Sequence, residues 1–225
     1  MSDTPNEAMP KAGISPKATP SSEIRDFLVY LAKLGAFLLI LRSLIIAPFS
    51  IPSESMLPRL MVGDYLLVSK WSYGYSRHAL PFSAPLIPGR VMGSLPDRGD
   101  VVVFKAPPSN DVDYIKRVIG LPGDRIQMRG GQLFLNGQAI ARNRKADLVV
   151  AASPNTRCFA PIFERVDQNG NISCHYPRYQ ESLPGGRRYD VLDLMDSEAD
   201  TTDVYTVPQG HVFMMGDRSE ERRVG

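Results

Sequence analysis

The clearest feature of the hydrophobic pattern is an apolar run near the start of the chain. It covers residues 27–49, and only Lys33 and Arg42 interrupt it. A membrane span needs about 20 mainly apolar residues. The run meets that length if a basic side chain lies near an interface, where it can reach water. Because Pro48 stops a helix, the pattern predicts a transmembrane helix over 23–43.

The segment before the run is polar and lacks apolar periodicity, so 1–22 is predicted to be a disordered tail. A cleaved signal peptide is the competing interpretation. The long polar leader and the lack of an Ala-x-Ala site after the run count against it. Basic residues at Lys11, Lys17 and Arg25 precede the apolar run. They place the tail in the cytoplasm and the rest of the chain on the outer side.

After the span the pattern changes to short strands separated by turns. Asn136-Gly137 is a strong hairpin signal, because both residues tolerate positive φ. The long polar segment 142–203 is predicted to be an insertion with short strands. The fold is therefore mainly β, with one N-terminal transmembrane helix followed by short, coiled antiparallel sheets over 44–217. The predicted strands lie at 64–68, 99–104, 114–119, 125–128 and 132–135 and within 204–215.

Composition narrows the function classes. The 225 residues carry a net charge of +2, with no basic stripe, so a nucleic-acid partner is not indicated. The histidines, His78, His175 and His211, lack metal-ligand spacing, so neither a metal nor a cofactor is expected. Cys158 and Cys174 could form a disulfide in an oxidising compartment or remain free thiols, and composition leaves both open.

The candidate chemistry lies just after the apolar run. Ser53 and Ser55 lie on a turn bounded by Pro52. A serine hydroxyl needs a neighbouring base to act as a nucleophile, and a lysine can serve only when neutral. Apolar surroundings favour the neutral amine, and Lys116 lies in an apolar strand. From spacing alone, an ordinary turn serine and a solvated lysine remain the alternative.

Four segments, in order, resemble the conserved boxes of bacterial type I signal peptidases. The first is 51–70, IPSESMLPRLMVGDYLLVSK. The second is 98–104, RGDVVVF, and the third is 113–124, DYIKRVIGLPGD. The pair Gly216-Asp217 resembles the start of the last box. The segments follow a membrane anchor, as they do in that family, and the resemblance implies a signal-peptidase-like β domain.

The resemblance also implies roles for individual residues. Ser55 would be the nucleophile, Lys116 the general base, and Ser53 a hydrogen-bond donor to the oxyanion. Arg117 and Asp217 would form a structural ion pair near the lysine, next to Gly216. Glu54 replaces the glycine that is usual between the two serines. The pocket for the residue before the cut would be lined by Ile51, Pro52, Met56, Leu60, Tyr114 and Ile115, and the pocket two residues further back by Phe49, Leu66, Val103 and Asp113.

The function implied is a membrane-bound endopeptidase that removes signal peptides after Ala-x-Ala. Its partners would be signal peptides and membrane lipid, with the catalytic domain on the periplasmic side of the bacterial cytoplasmic membrane. Phe49, Ile51, Met56 and Leu57 would be partly lipid-facing. Two alternatives stay open: a pilin or conjugation maturation peptidase of the same fold, and a silent, membrane-tethered domain that binds extended peptides. Self-cleaving repressors, which share the Ser/Lys dyad, are a more distant alternative, and the membrane anchor argues against them.

The last eight residues, 218–225, depart from the family pattern. The family continues with a run that contains a serine orienting the lysine, followed by closing strands. The octapeptide here back-translates into the opening of a widely used sequencing adapter. We therefore hypothesise that 218–225 is not native and that the chain as written is poorly stable and weakly active. Resequencing the gene tests this. Uninterrupted genomic codons for the octapeptide, or near-full activity of the 225-residue product on an Ala-x-Ala reporter, would contradict it.

Overall fold

The computed structural model describes residues 20–80, 87–106, 112–153 and 156–218. Contacts divide the chain into two units, Met1–Arg42 and Ser43–Gly225. The tail predicted over 1–22 lies outside the described residues except for 20–22, which are helical. Of the segment predicted to be non-native, only Arg218 is described.

The first unit contains helix α1, Pro20–Ile40. A π-helical turn, Leu41–Ile45, follows it and runs into the second unit. The helical stretch Ser22–Ile45 has 24 residues and is long and apolar enough to cross a membrane, judged by length and composition. The helix predicted over 23–43 is therefore present, although it begins earlier and ends in a π turn.

The second unit consists mainly of short strands, with single 3-10 turns at Arg77–Ala79, Pro161–Phe163 and Glu198–Asp200. The prediction of a mainly β fold is confirmed. The strands are β1 Ile46–Ser50, β2 Tyr65–Ser69, β3 Tyr75–Ser76, β4 Arg90–Val91, β5 Val101–Lys105, β6 Asp113–Gly120, β7 Arg125–Arg129, β8 Gln132–Leu135, β9 Gln138–Ala139, β10 Ala141–Arg144, β11 Leu148–Ala151, β12 Glu164–Val166, β13 Ile172–Tyr176, β14 Arg178–Ser182, β15 Arg188–Leu192, β16 Tyr205–Thr206 and β17 Phe213–Met215.

These strands pair antiparallel in six small sheets. The orders are β1-β2, β3-β4, β17-β6-β5, β16-β7-β8-β9, β10-β14-β15 and β11-β13-β12. The hairpin predicted at Asn136-Gly137 joins β8 to β9, and the two residues have φ values of 54° and 81°. That prediction is confirmed because the turn needs residues that accept positive φ.

Strand β6 lies between β5 and β17, and its residues from Ile115 to Gly120 are all buried. Strand β5, predicted within 99–104, is an edge strand among the described strands, and only its Val102 is buried. Strand β2 is also an edge strand. Residues of β2 and β5 line two neighbouring clefts of about 730 and 630 Å³. Apolar periodicity reports the character of a strand's faces and carries no information on whether its edge is paired.

The segment 142–203 contains the short strands predicted for it and packs into the interior. Its side chains Leu183, Tyr189 and Val191 join the largest apolar cluster, together with Ile119 of β6. A second cluster places Leu57, two residues after Ser55, among buried side chains of this segment: Phe163, Cys174, Tyr176, Leu192 and Leu194. The segment therefore supports the strands that carry the candidate site.

Cys158 and Cys174 form a disulfide with Cα atoms 5.3 Å apart, which resolves the alternative left open by composition. Cys174 lies on β13 and is fully buried in the second apolar cluster. The bond ties the loop before Pro161–Phe163 to the middle strand of its sheet.

We predict that the double variant Cys158→Ala/Cys174→Ala loses about 3 kcal/mol of unfolding free energy, the chain-entropy value for a loop of about this length. The cysteines are 16 residues apart. Urea denaturation with and without dithiothreitol measures the loss. The wild type should respond to the reductant and the double variant should not. Equal stability of the two proteins without reductant would contradict the prediction.

The turn between β6 and β7 is held by one carboxylate. Asp124 Oδ2 accepts the Leu121 N–H at 2.7 Å, and its Oδ1 accepts the Asn136 amide at 2.8 Å. Arg98 Nη1 lies 2.8 Å from Asp124 Oδ2. Burial alone would raise the pKa of Asp124, but hydrogen bonds from Arg98 and the other donors outweigh it and lower the pKa.

Because the folded-state pKa of Asp124 is lowered, its contribution to stability is present above the unfolded pKa of about 3.9. The contribution is lost as pH falls through the folded-state pKa. We expect Asp124→Asn to cost about 1–3 kcal/mol at pH 7 and to flatten the acid side of the stability curve. Chemical denaturation from pH 7 to pH 2 tests this, with the exposed Asp196→Asn as control. Parallel curves for wild type and Asp124→Asn would contradict it.

Candidate active site

The two serines lie on the turn that connects β1 to β2. The base of this turn is closed by two backbone hydrogen bonds, from Ile51 N–H to Asp64 C=O at 2.9 Å and from Gly63 N–H to Ile51 C=O at 3.0 Å. Ser55 is only 2% exposed. The Ser53 hydroxyl donates to Ser55 Oγ at 3.4 Å. The turn therefore holds one hydroxyl beside another in a largely dry position.

Lys116 lies in the middle of β6, opposite Val102 of β5. It is 9% exposed, and its Nζ lies 5.9 Å from the Tyr114 ring centroid. It is the only buried lysine in the described part of the chain. Lys70 and Lys105 are half-buried, and each has a polar partner. Lys70 Nζ donates to the Ala79 carbonyl at 2.6 Å, and Lys105 pairs with Asp113 at 3.1 Å.

An apolar cluster joins the serine turn to the lysine strand. Ile51 and Met56, on either side of Ser55, pack with Ile115, which precedes Lys116. The half-buried side chains packed against this group are Leu60, Leu66, Val101 and Val103. Six of the predicted pocket residues thus meet in one cluster, which brings the two segments of candidate chemistry together.

The other predicted pocket residues lie at its margins. Phe49 pairs with Leu66 across β1 and β2. Asp113 is ion-paired with Lys105. Tyr114 is exposed and packs edge-to-face on Phe104, with ring centroids 6.2 Å apart. Pro52 is exposed.

Some predicted pocket residues line the two clefts between β2 and β5. Leu60, Leu66, Val103 and Ile115 line the smaller cleft. Phe49, Val103 and Asp113 line the larger one. Among the described residues that line these two clefts, neither Ser55 nor Lys116 is present.

The expectation of lipid-facing side chains on this turn is wrong for most of them. Ile51, Met56 and Leu57 are 3%, 0% and 6% exposed, and Phe49 is half-buried. Ile51 and Met56 pack with Ile115 of β6, and Leu57 belongs to the second apolar cluster, because the turn folds onto the β domain. The exposed large apolar side chains nearby in sequence are Met61, Val62, Tyr65, Leu67 and Trp71.

Arg117 occupies the opposite face of β6 from Lys116. It forms a bidentate ion pair with Asp217, with Nε to Oδ1 at 2.8 Å and Nη2 to Oδ2 at 2.6 Å. Its Nη1 donates to the Gly99 carbonyl at 2.9 Å. Burial alone would lower the pKa of Arg117, but Asp217 outweighs it and raises the pKa. The predicted ion pair is present, next to Gly216 and almost fully buried.

The glutamate between the two serines also has a partner. Glu54 pairs with Arg218, whose backbone N–H donates to the Ser55 carbonyl at 3.3 Å. The Arg218 guanidinium lies 5.0 Å from the Phe159 ring centroid. Glu54 is half-buried where the family usually has glycine, and its partner Arg218 is the first residue of the segment predicted to be non-native.

Two polar groups near the site were not predicted from the sequence. The Tyr73 hydroxyl donates to Asp100 Oδ2 at 2.6 Å, and Arg187 pairs with the same carboxylate. Burial and the Asp100 hydrogen bond raise the pKa of Tyr73 to about 12. The second group is Tyr189 with Glu181, in contact with Arg117. Tyr73 and Arg187 are 27 and 87 residues from Asp100 in sequence. Glu181 and Tyr189 face each other across β14 and β15, but their contact with Arg117 depends on tertiary packing, so no local motif reveals either group.

Within the described ranges, no group of three or more His, Cys, Asp or Glu side chains could hold a metal ion. The candidate site brings together two serine hydroxyls on a backbone turn and the buried amine of Lys116. Such groups are suited to acyl transfer, in which a serine attacks a carbonyl carbon.

In sequence, this chain is similar to known signal peptidases. The family model for signal peptidase, peptidase S26, matches residues 24–222. Signal peptidase I of Rickettsia conorii (strain Malish 7) is 34% identical over 192 residues, covering 81% of this chain and 65% of the relative. The Rickettsia prowazekii (strain Madrid E) protein is 35% identical over 198 residues, covering 83% of this chain and 67% of the relative.

Among solved structures, a signal peptidase I from Enterococcus faecalis V583 matches 55% of this chain and 78% of its own, with 24% identity and a TM-score of 0.25. That similarity is too low to support a structural comparison. The chain spans about two thirds of the length of its Rickettsia relatives, 65% for the first. Because the family model covers well over half of the chain, this chain belongs to the signal peptidase family, peptidase S26.

Proposed function

We propose that this protein is a membrane-anchored serine endopeptidase that removes signal peptides from exported proteins. Ser55 is the nucleophile and Lys116 the general base. One observation carries the proposal most directly. A serine and a lysine, both withdrawn from solvent, lie on two segments that pack together through Met56 and Ile115. Membership of the signal peptidase family supports it independently.

The reaction follows from these groups. The neutral Lys116 amine takes the Ser55 hydroxyl proton as Oγ attacks the carbonyl carbon of the scissile peptide bond. The carbonyl oxygen becomes an oxyanion, which accepts hydrogen bonds from the Ser53 hydroxyl and the Ser55 N–H. The C–N bond then breaks, and Lys116 returns the proton to the leaving amine. Lys116 then takes a proton from water as the water oxygen attacks the acyl carbon. The C–Oγ bond of the ester breaks, and Lys116 gives that proton to Ser55 Oγ, which restores both groups.

The surrounding residues suit this role. Ser53 Oγ lies 3.4 Å from Ser55 Oγ, within reach of an oxyanion formed there. Removing water around the amine favours its neutral form, and Lys116 is buried on an apolar strand. The cluster of Ile51, Met56 and Ile115 supplies an apolar wall. Such a wall suits the small apolar side chains of an Ala-x-Ala site, bound as an extended strand.

Two observations support a site on the outer side of the bacterial cytoplasmic membrane. A helix of spanning length, Ser22–Ile45, directly precedes β1 and the serine turn. The Cys158–Cys174 disulfide lies in the domain that follows, and disulfides persist in oxidising compartments. An anchor so near the nucleophile in sequence suits substrates whose cleavage sites emerge at the membrane surface.

We predict that Ser55→Ala and Lys116→Ala each reduce kcat/KM by about ten-thousandfold, because each removes a group that acts in every step. Ser53→Ala should reduce kcat by roughly a hundredfold to a thousandfold through loss of one oxyanion donor. The assay is cleavage of a fluorogenic Ala-x-Ala peptide in detergent micelles, and the wild type is the product of the resequenced gene.

Ser173→Ala on β13 and the exposed Lys145→Ala are matched controls that should keep wild-type rates. Normal cleavage by Ser55→Ala or Lys116→Ala would rule out the dyad. If the wild type binds the peptide as tightly as Ser55→Ala does but cleaves no Ala-x-Ala sequence, the protein is a silent peptide-binding domain. Cleavage confined to pilin-type precursors would identify a specialised maturation peptidase.

A further inference from the structure

We propose that Tyr189 and Glu181 are positioning residues for the active site. They hold the Arg117 guanidinium, and through it the part of β6 that carries Lys116. Both belong to the segment 142–203, which sequence patterns assigned to an insertion. The inference deepens the proposed function and rests on it.

The guanidinium of Arg117 is held within its own plane by two partners. Asp217 receives two parallel hydrogen bonds, at 2.8 and 2.6 Å, and the Gly99 carbonyl receives a third at 2.9 Å. A bidentate pair of this kind fixes both position and rotation in the plane. The backbone N–H of Gly99 also bonds to Val118 C=O at 2.6 Å, so this partner is tied to the same strand.

Tyr189 closes the face of the guanidinium. The Arg117 Cζ lies 4.5 Å from the Tyr189 ring centroid, within the range of a cation–π contact. The Tyr189 hydroxyl in turn donates to Glu181 Oε2 at 2.5 Å. Glu181, on β14, is 1% exposed. This hydrogen bond fixes the orientation of the Tyr189 ring. The ring then restrains the guanidinium perpendicular to its plane, the direction in which Asp217 and Gly99 do not hold it.

Strand β15 restrains Asp217 as well. Tyr189 lies on β15, and the backbone N–H of Leu192, the last residue of that strand, donates to the Asp217 carbonyl at 2.9 Å. The same strand thus holds Arg117 through a ring and holds its ionic partner through the main chain. Movement of β15 would displace both members of the ion pair.

The position of Lys116 follows from that of Arg117. Neighbouring residues of a strand point to opposite faces, so a fixed Arg117 side chain fixes the pleat at Lys116. A small misplacement of a catalytic group can cost about a hundredfold in rate. Burying Glu181 and Asp217 beside one guanidinium brings a desolvation cost. Both carboxylates nevertheless have hydrogen-bond partners, which indicates that their role is to define the position of Arg117.

The test uses Tyr189→Phe, which keeps the ring and removes only the hydroxyl, and Glu181→Gln, which removes only the charge. We expect each to lower kcat about tenfold while KM stays within about twofold, because orientation of the base is lost and substrate contacts are not. The double variant should be no slower than the slower single variant, since the two residues act as one unit. Rates are divided by the folded fraction, measured by urea denaturation.

Tyr179→Phe is the matched control. It makes the same change in a tyrosine of β14 whose ring also contacts an arginine, Arg142, at 3.9 Å. It should leave kcat unchanged. Lower unfolding free energy with unchanged kcat for Tyr189→Phe and Glu181→Gln would overturn the proposal and leave a structural role only. Additive losses in the double variant, or a rise in KM alone, would also overturn it. If wild type cleaves no Ala-x-Ala peptide, the proposed function itself fails.

Discussion

The structure depends on the register of strand β6. Two adjacent residues of this strand serve opposite faces. Arg117 meets Asp217, and the proposed function requires Lys116 to face the other way, into a dry space. Because side chains alternate along a strand, a shift by one residue would exchange these faces. It would place a lysine opposite the carboxylate and an arginine beside the serine turn. Pairing with β5 on one edge and β17 on the other prevents that shift.

Side-chain chemistry makes this register specific. Asp217 lies 100 residues from Arg117 in sequence, yet the two form a bidentate pair that is almost fully buried. Breaking a buried pair costs about 3–5 kcal/mol, whereas the intact pair adds little stability over apolar packing. We therefore infer that the pair contributes mainly by making alternative registers unfavourable. The apolar contact of Ile115 with Met56 then brings the serine turn to the correct side of the strand.

Local features could be predicted from the sequence because each has a local physical cause. The apolar run gives the helix, and residues that tolerate positive φ give the Asn136-Gly137 hairpin. Tertiary features could not be predicted in this way. Ile51 and Met56 are apolar residues close to a membrane helix in sequence, so they were predicted to face lipid. The turn folds onto β6 and buries them. The Tyr189–Glu181 pair needs strands β14 and β15 to be placed beneath Arg117, which depends on packing throughout the domain.

The charges beside β6 also bear on how a lysine can serve as a base. A carboxylate near an amine favours the ammonium form, and a cation disfavours it. Asp217 would therefore oppose a neutral Lys116 if it lay unpaired in the same low-dielectric interior. Arg117 gives the carboxylate two charge-assisted hydrogen bonds. Its own charge, held against Tyr189 on the far face of the strand, acts in the opposite direction. The same contacts that fix the geometry of β6 thus also limit the negative potential around its lysine.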